Sequence, residues 1–123
     1  MSRYYTEDHE WIEIDNNLVT IGITSHAADE LGEIVFVELP EVGNTVGKGD
    51  EFASVESVKT VSGIYAPLDG QIVETNQSVV DTPELINTSP YESGWLIRVE
   101  TKQTDYTEDL MDETAYTSYL ETL

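Results

Sequence analysis

Apolar and polar residues alternate in short bursts along this chain. Trp11-Ile12-Glu13-Ile14-Asp15 alternates, Asp15-Asn16-Asn17 supplies turn residues, and Leu18 to Ile23 resumes a β-branched pattern, which predicts an early hairpin. Ile34-Val35-Phe36-Val37 is a nearly continuous apolar strand stopped by Pro40. Glycines at 43, 47 and 49, with Asn44 and Asp50 near them, mark a loop. Glu51 to Val58 alternates again, with Ala53 and Val55 expected on one face and Phe52, Ser54 and Glu56 on the other. Thr60 to Ala66 is a second such run, ended by Pro67. Asp69-Gly70 marks a tight turn, Gln71 to Thr75 reads as one more strand, and Trp95 to Val99 as the last.

Three segments depart from the strand period. Thr24 or Ser25 can cap a short helix over His26 to Leu31, with Gly32 suited to the position after its end. Thr82, followed by Pro83, predicts a second short helix. In the tail, Asp105 followed by Glu108 resembles a capping box with Asp in place of Ser or Thr. Leu110, Met111, Tyr116, Tyr119, Leu120 and Leu123 then keep to one broad side of a helix, read as a terminal helix packed on the sheet. The sum is a mainly β chain, a sandwich or barrel with short helices and a C-terminal helix, expected to form one domain over residues 1–123. A glycine-bearing turn precedes a strand at 47–58 and again at 70–76, a weak internal likeness.

Composition narrows the chemistry. The formal net charge is −20, from 25 acidic against five basic residues, so the surface repels phosphate backbones and anionic membranes. Such a charge keeps a protein soluble and monomeric, and it also suits partners with basic docking faces. No cysteine is present, which excludes disulfides, thiolate metal sites and cysteine nucleophiles; any redox chemistry must come from an attached group. Two histidines 17 positions apart make no metal site, and the abundance of acids deprives any acid pair of meaning as a catalytic signal. No window is apolar enough for a membrane helix. The start, MSRYYTEDHEW, is polar and lacks the apolar core of an export signal, so a cytoplasmic protein is expected.

Lys59, one of three lysines, stands among β-branched residues in SVESVKTVSGIYAP, residues 54–67. Similar β-runs flank it. If Val58 ends one strand and Thr60 begins another, Lys59 sits at or beside a hairpin tip, where its ε-amine is open to a modifying enzyme and a carried group would move on a tether. The plain alternative is a solvated surface lysine or a guard against strand aggregation.

TEDHEW at 6–11, LGEIVFVELPEVG at 31–43, SVESVK at 54–59, YAPLDG at 65–70 and NTSPYESGWL at 87–96, with a tail containing AY and L, resemble the glycine cleavage system H-protein family, in order and over nearly the whole chain. The resemblance implies a barrel-sandwich hybrid of the lipoyl/biotinyl type, with two quasi-symmetric sheets and a modified lysine on a hairpin turn. Lys59 would carry lipoic acid in amide linkage. In lipoyl domains a glutamate three residues before the lysine and a glycine eleven after it help the attaching enzyme; the matching positions here are Glu56 and Gly70. Biotin carriers usually have methionines beside the lysine, and Val58 and Thr60 are not methionines.

The resemblance further implies a non-catalytic shuttle. A pyridoxal-phosphate glycine decarboxylase would load the arm with an aminomethyl group, a tetrahydrofolate-dependent aminomethyltransferase would take the one-carbon unit and release ammonia, and a flavin dihydrolipoyl dehydrogenase would reoxidise the dithiol. Lipoate-attaching enzymes would be further partners. The loaded arm is expected to fold back into a surface cleft, with His9, Glu10 and Trp11 as candidates for its wall: a carboxylate to pair with the aminomethyl cation, an indole to cover apolar arm atoms. Against this, Trp11 would simply be core and His9 a structural hydrogen-bonder. Two other readings stay open: a relay passing lipoyl groups to other enzymes, and an unmodified interaction domain that keeps only the fold.

Overall fold

The computed structural model describes residues 2–104 and 106–123. Its strands are β1 (Ser2–Tyr5), β2 (Glu10–Asp15), β3 (Leu18–Ile23), β4 (Ile34–Glu38), β5 (Thr45–Val46), β6 (Glu51–Ser57), β7 (Val61–Tyr65), β8 (Gly70–Thr75) and β9 (Ile97–Glu100). They form two antiparallel sheets of unequal size, ordered β1-β2-β3-β9-β8-β5 and β4-β6-β7. Alternation along each strand sends one set of side chains inward, and Ile12, Ile21, Val37, Val55, Ile72 and Ile97 are buried between the sheets. Each such side chain contributes about 1.5–3 kcal/mol by leaving water. This is the expected barrel-sandwich arrangement.

The early hairpin forms as the pattern predicts. Ile12 faces Ile21 and Ile14 faces Val19, and Asn16 adopts φ 57, a left-handed conformation that asparagine tolerates in a tight turn. The strand β1 has no strong pattern of its own; it adds to the edge of the sheet by pairing Tyr5 with Trp11. Helix α1 (Ser25–Leu31) is capped by Thr24, whose Oγ1 accepts the Ala27 N–H, and it ends at Gly32 with φ 85.

Four expectations need correction. Phe52 is buried beside Ala53 rather than facing outward, because a register shift between Glu51 and Ala53 puts an irregularity in β6 and breaks the alternation. Thr82 does not cap a helix: its N–H bonds to the Ser78 carbonyl, closing the unforeseen helix α2 (Gln77–Asp81), and its own carbonyl accepts from Leu85. Helix α3 (Leu85–Thr88) follows without a side-chain cap. The terminal helix is shorter than its apolar stripe implied. A 3₁₀ turn (Tyr106–Asp109) is followed by extended chain, where Met111 exchanges two backbone hydrogen bonds with Tyr5 at 2.8 and 2.9 Å. Only then does Asp112 cap α4 (Glu113–Leu120), its Oδ1 accepting the Ala115 N–H at 2.8 Å. Pairing with an open sheet edge thus outcompetes helix at Met111. Leu123 is exposed rather than packed. The Asp105 member of the capping box lies outside the described residues.

The tail closes a second apolar cluster. The Tyr116 ring stacks on Tyr5 with centroids 4.5 Å apart, and Trp11, Tyr119 and Leu120 pack around the pair. Among the described residues, no helix is long and apolar enough to cross a membrane.

Candidate functional site

Lys59 lies in the turn between β6 and β7, exposed to solvent, at the tip of the three-stranded sheet. The turn lacks the Asn-Gly or Asp-Gly chemistry of tight hairpins. A buried serine replaces it. Ser57 Oγ accepts the N–H of Lys59 at 3.2 Å and of Thr60 at 3.1 Å, and the Ser57 N–H donates to the Thr60 carbonyl at 2.8 Å. The neighbouring Val58 N–H donates to the Glu33 carbonyl at 3.0 Å, tying the tip to the start of β4. Sequence reading passed over Ser57; a serine opening a presumed turn was the available signal.

The lysine stem runs across the end of α1. A Cβ built on Gly32 would stand 3.4 Å from Lys59 Cε and 3.9 Å from Nζ, ordinary contact, so it is the positive φ of 85 and not space for the stem that favours glycine here. No ion pair holds the amine among the described residues. Glu56 is exposed on β6, directly between Phe36 of β4 and Val61 of β7. Gly70 opens β8 in the other sheet, and a Cβ there would press into Val99 and stand 2.7 Å from the Glu100 carbonyl oxygen. Packing alone therefore requires glycine at this position.

The three residues of the expected cleft point in different directions. Glu10 is 3% exposed and turns toward β7: Oε1 accepts the Thr6 hydroxyl at 3.1 Å and Oε2 the Tyr65 N–H at 2.9 Å. Burial pushes its pKa up from an ordinary 4.5 to about 7; the two hydrogen bonds oppose the rise and the charge of Asp8 adds to it. Its carboxyl lines a cavity of about 240 Å³ with Thr6, Asp8, Lys48 and Tyr65. Trp11 points the opposite way, 1% exposed, its Nε1–H donating to the Pro90 carbonyl at 2.9 Å. His9, at φ 66, places Nδ1 2.9 Å from the Tyr116 hydroxyl, which also meets Thr24 Oγ1 at 2.9 Å. Its ring lies 4.5 Å from that of His26, and burial, followed by the His26 charge, lowers its pKa.

Strand β7 joins these features. It is the edge of its sheet, with Lys59 beyond one end and Tyr65, holding Glu10, at the other. Six residues of extended chain span on the order of 20 Å. A lysine stem lengthened by a lipoyl chain and an aminomethyl group has about fifteen bonds, or on the order of 18 Å extended, so the Glu10 cavity lies close to such an arm's full reach. A larger cavity, about 480 Å³, lies against the other sheet. There Arg3 stacks over Tyr91 and pairs with Glu13, while Arg98 stacks over Trp95 and pairs with Glu74, so its cations are already neutralised.

Comparison with known proteins places the sequence and the fold. The family profile described as "Glycine cleavage H-protein" matches residues 3–123. A glycine cleavage system H protein of Staphylococcus epidermidis is 49% identical over 116 residues, covering 94% of this chain and 92% of the relative. The mitochondrial H protein 2 of Arabidopsis thaliana is 48% identical over 117 residues, covering 95% of this chain and 75% of the relative. The crystal structure of a glycine cleavage system H protein from Mycobacterium marinum superposes with a TM-score of 0.90 at 44% identity, covering 98% of this chain and 97% of that one.

Proposed function

Since the chain belongs to the glycine cleavage H-protein family, we propose that Lys59 carries lipoic acid in amide linkage and that residues 1–123 act as one carrier domain, shuttling an aminomethyl group without catalysing its transfer. The observation that carries this reading is an exposed amine, free of ion pairs among the described residues, on a turn clamped by Ser57. Acylating that amine breaks no salt bridge and buries no charge. The lipoyl group supplies the dithiolane chemistry that a chain without cysteine lacks.

The chain's own residues do the positioning. Ser57 fixes the direction in which the stem leaves the sheet. Glu10 offers a buried carboxyl at the far end of β7, and an entering ammonium group would draw it into the ionised form by expelling its proton. Removal from water slows loss of the carried group. His9 and Trp11 flank Glu10 in sequence and anchor that stretch to α4 and to Pro90, holding the carboxyl in place. Glu56 and Gly70 serve recognition by the attaching enzyme, Gly70 in addition to its packing role.

The partners are a pyridoxal-phosphate glycine decarboxylase, a tetrahydrofolate-dependent aminomethyltransferase, a flavin dihydrolipoyl dehydrogenase and lipoate-attaching enzymes. The protein acts as a cytoplasmic monomer and binds neither nucleic acid nor membrane, as its −20 charge suggests. Passing lipoyl groups on to other enzymes is a second reading that uses the same lysine. Incubation with lipoate, ATP and a lipoate ligase should add one lipoyl mass, mapped to Lys59. Lys59→Arg should melt like the wild type, gain no mass, and lose glycine-dependent carbon dioxide exchange with the decarboxylase. Loading at another residue, or exchange retained in Lys59→Arg, would overturn the proposal.

A further inference from the structure

Three stretches far apart in sequence converge on the Glu10 cavity. The loop before β2 brings Glu7, Asp8 and the strand's first residue, Glu10; the chain between β5 and β6 brings Lys48; the tail brings Asp109. Backbone bonds anchor the last two walls. The Gly49 N–H donates to the Ala66 carbonyl at 2.8 Å, and Met111 exchanges its two bonds with Tyr5. Across the gap between them Lys48 Nζ donates to Asp109 Oδ2 at 2.8 Å, side chain to side chain. That contact holds the Asp109 carboxyl below its ordinary pKa. The two side chains are 58% and 69% exposed, against 3% for Glu10, so the pair lies at the cavity's rim and Glu10 at its floor. Among the described residues lining the cavity, Lys48 alone is cationic, beside four carboxyl groups. An exposed ion pair is weak, so a second cation displaces the lysine at little cost.

We propose that the Lys48–Asp109 pair sets how long the carried ammonium group is held: Asp109 is a second carboxylate for it at the rim, and Lys48 is the resident cation it must displace. The inference rests on the reading that the loaded arm of Lys59 reaches Glu10. Such an arm ends in an ammonium group, whereas its dithiolane and dithiol forms are uncharged. An ammonium can take the place of Lys48 on Asp109; an uncharged end offers the carboxylate nothing and leaves the pair closed. The pair acts on the cargo through one proton. Loss of the cargo begins from the free amine. The nitrogen lone pair pushes out sulfur, and the carbon–sulfur bond breaks with its electrons going to sulfur. The iminium ion that forms adds water and yields formaldehyde and ammonium, while the thiolate takes up a proton. Protonating the amine ties up the lone pair and stops that sequence. A carboxylate beside the group favours the ammonium form, and a lysine there disfavours it. Asp109 therefore protects the cargo, and Lys48 keeps the hold weak enough for release.

The test is the rate at which the lipoylated, aminomethyl-loaded carrier, separated from the decarboxylase, loses its cargo to water, followed by intact mass. The loss is first order, so the fraction loaded at the start does not matter. Lys48→Gln and Asp109→Asn alter only exposed side chains and should keep the wild-type melting curve. Lys48→Gln leaves Asp109 to the cargo and should slow the loss about threefold; Asp109→Asn leaves the lysine cation alone at the rim and should speed it about threefold. Charge exchange requires these opposite signs, whereas a pair that merely braces the walls would shift both variants the same way. Rates that fail to diverge in opposite directions overturn the proposal. Glu10→Gln tests the reading beneath it and should speed the loss about tenfold. If it does so while the other two variants fail to diverge, the arm reaches Glu10 and only the role of the pair falls. If Glu10→Gln loses its cargo at the wild-type rate, the arm does not rest in this cavity, and the reading falls together with the proposal.

Discussion

Glu10 shows how burying one side chain makes folding depend on pH. Burial holds its pKa near 7, so the folded protein keeps the proton more tightly than the unfolded chain does. Its contribution to stability is therefore fully present below about 4.5, declines as pH rises, and is gone above about 7. The displacement corresponds to about 3 kcal/mol. His9 works in the opposite sense: its lowered pKa removes stability as pH falls below about 6.5. Comparing wild type with Glu10→Gln cancels the His9 contribution. The stability of wild type relative to the variant should fall by about 3 kcal/mol between pH 4.5 and 8, read from urea midpoints. Parallel profiles for the two proteins would mean that Glu10 is not titrating in this range.

At the scale of elements, the β6–β7 hairpin matters most. Its strands were legible because β-branched residues alternate on both sides of Lys59; its turn was not, because the clamp comes from a serine reaching forward rather than from a turn dipeptide. Ser57→Ala removes the acceptor of two N–H groups. It should cost about 1 kcal/mol and speed amide exchange at Lys59 and Thr60, leaving the β2–β3 hairpin unaffected. Exchange unchanged at both amides would show that the backbone holds the turn by itself. The tail illustrates the reverse case. Its apolar stripe predicted a helix through Leu110 and Met111, yet Met111 pairs with Tyr5 on an open sheet edge. Helical period in a sequence says which residues seek the interior, and a distant strand can satisfy them differently.

For the whole molecule, charge is the dominant property. A net −20 repels itself in the folded state and attracts basic partner faces. Salt should act in two directions: raising it from about 10 to 150 mM shortens the Debye length from about 30 to 8 Å, which should raise the melting temperature while slowing association with the decarboxylase. An association rate indifferent to salt would leave the charge as a solubility device alone.

Alternation, capping chemistry and ordered motifs are local properties of the chain, so the central strands, the α1 caps, the hairpin carrying Lys59 and the family were legible in it, whereas the short strands β1 and β5 were not. What surrounds these features came from the packing of distant segments. It buried Phe52 through a shifted register, sent His9, Glu10 and Trp11 toward different partners, and set Phe36 beside Glu56 and Val61 across three strands. Those outcomes depend on contacts between residues far apart along the chain, and the free energy of such contacts is fixed by how the sheets pack and not by any residue's immediate neighbours.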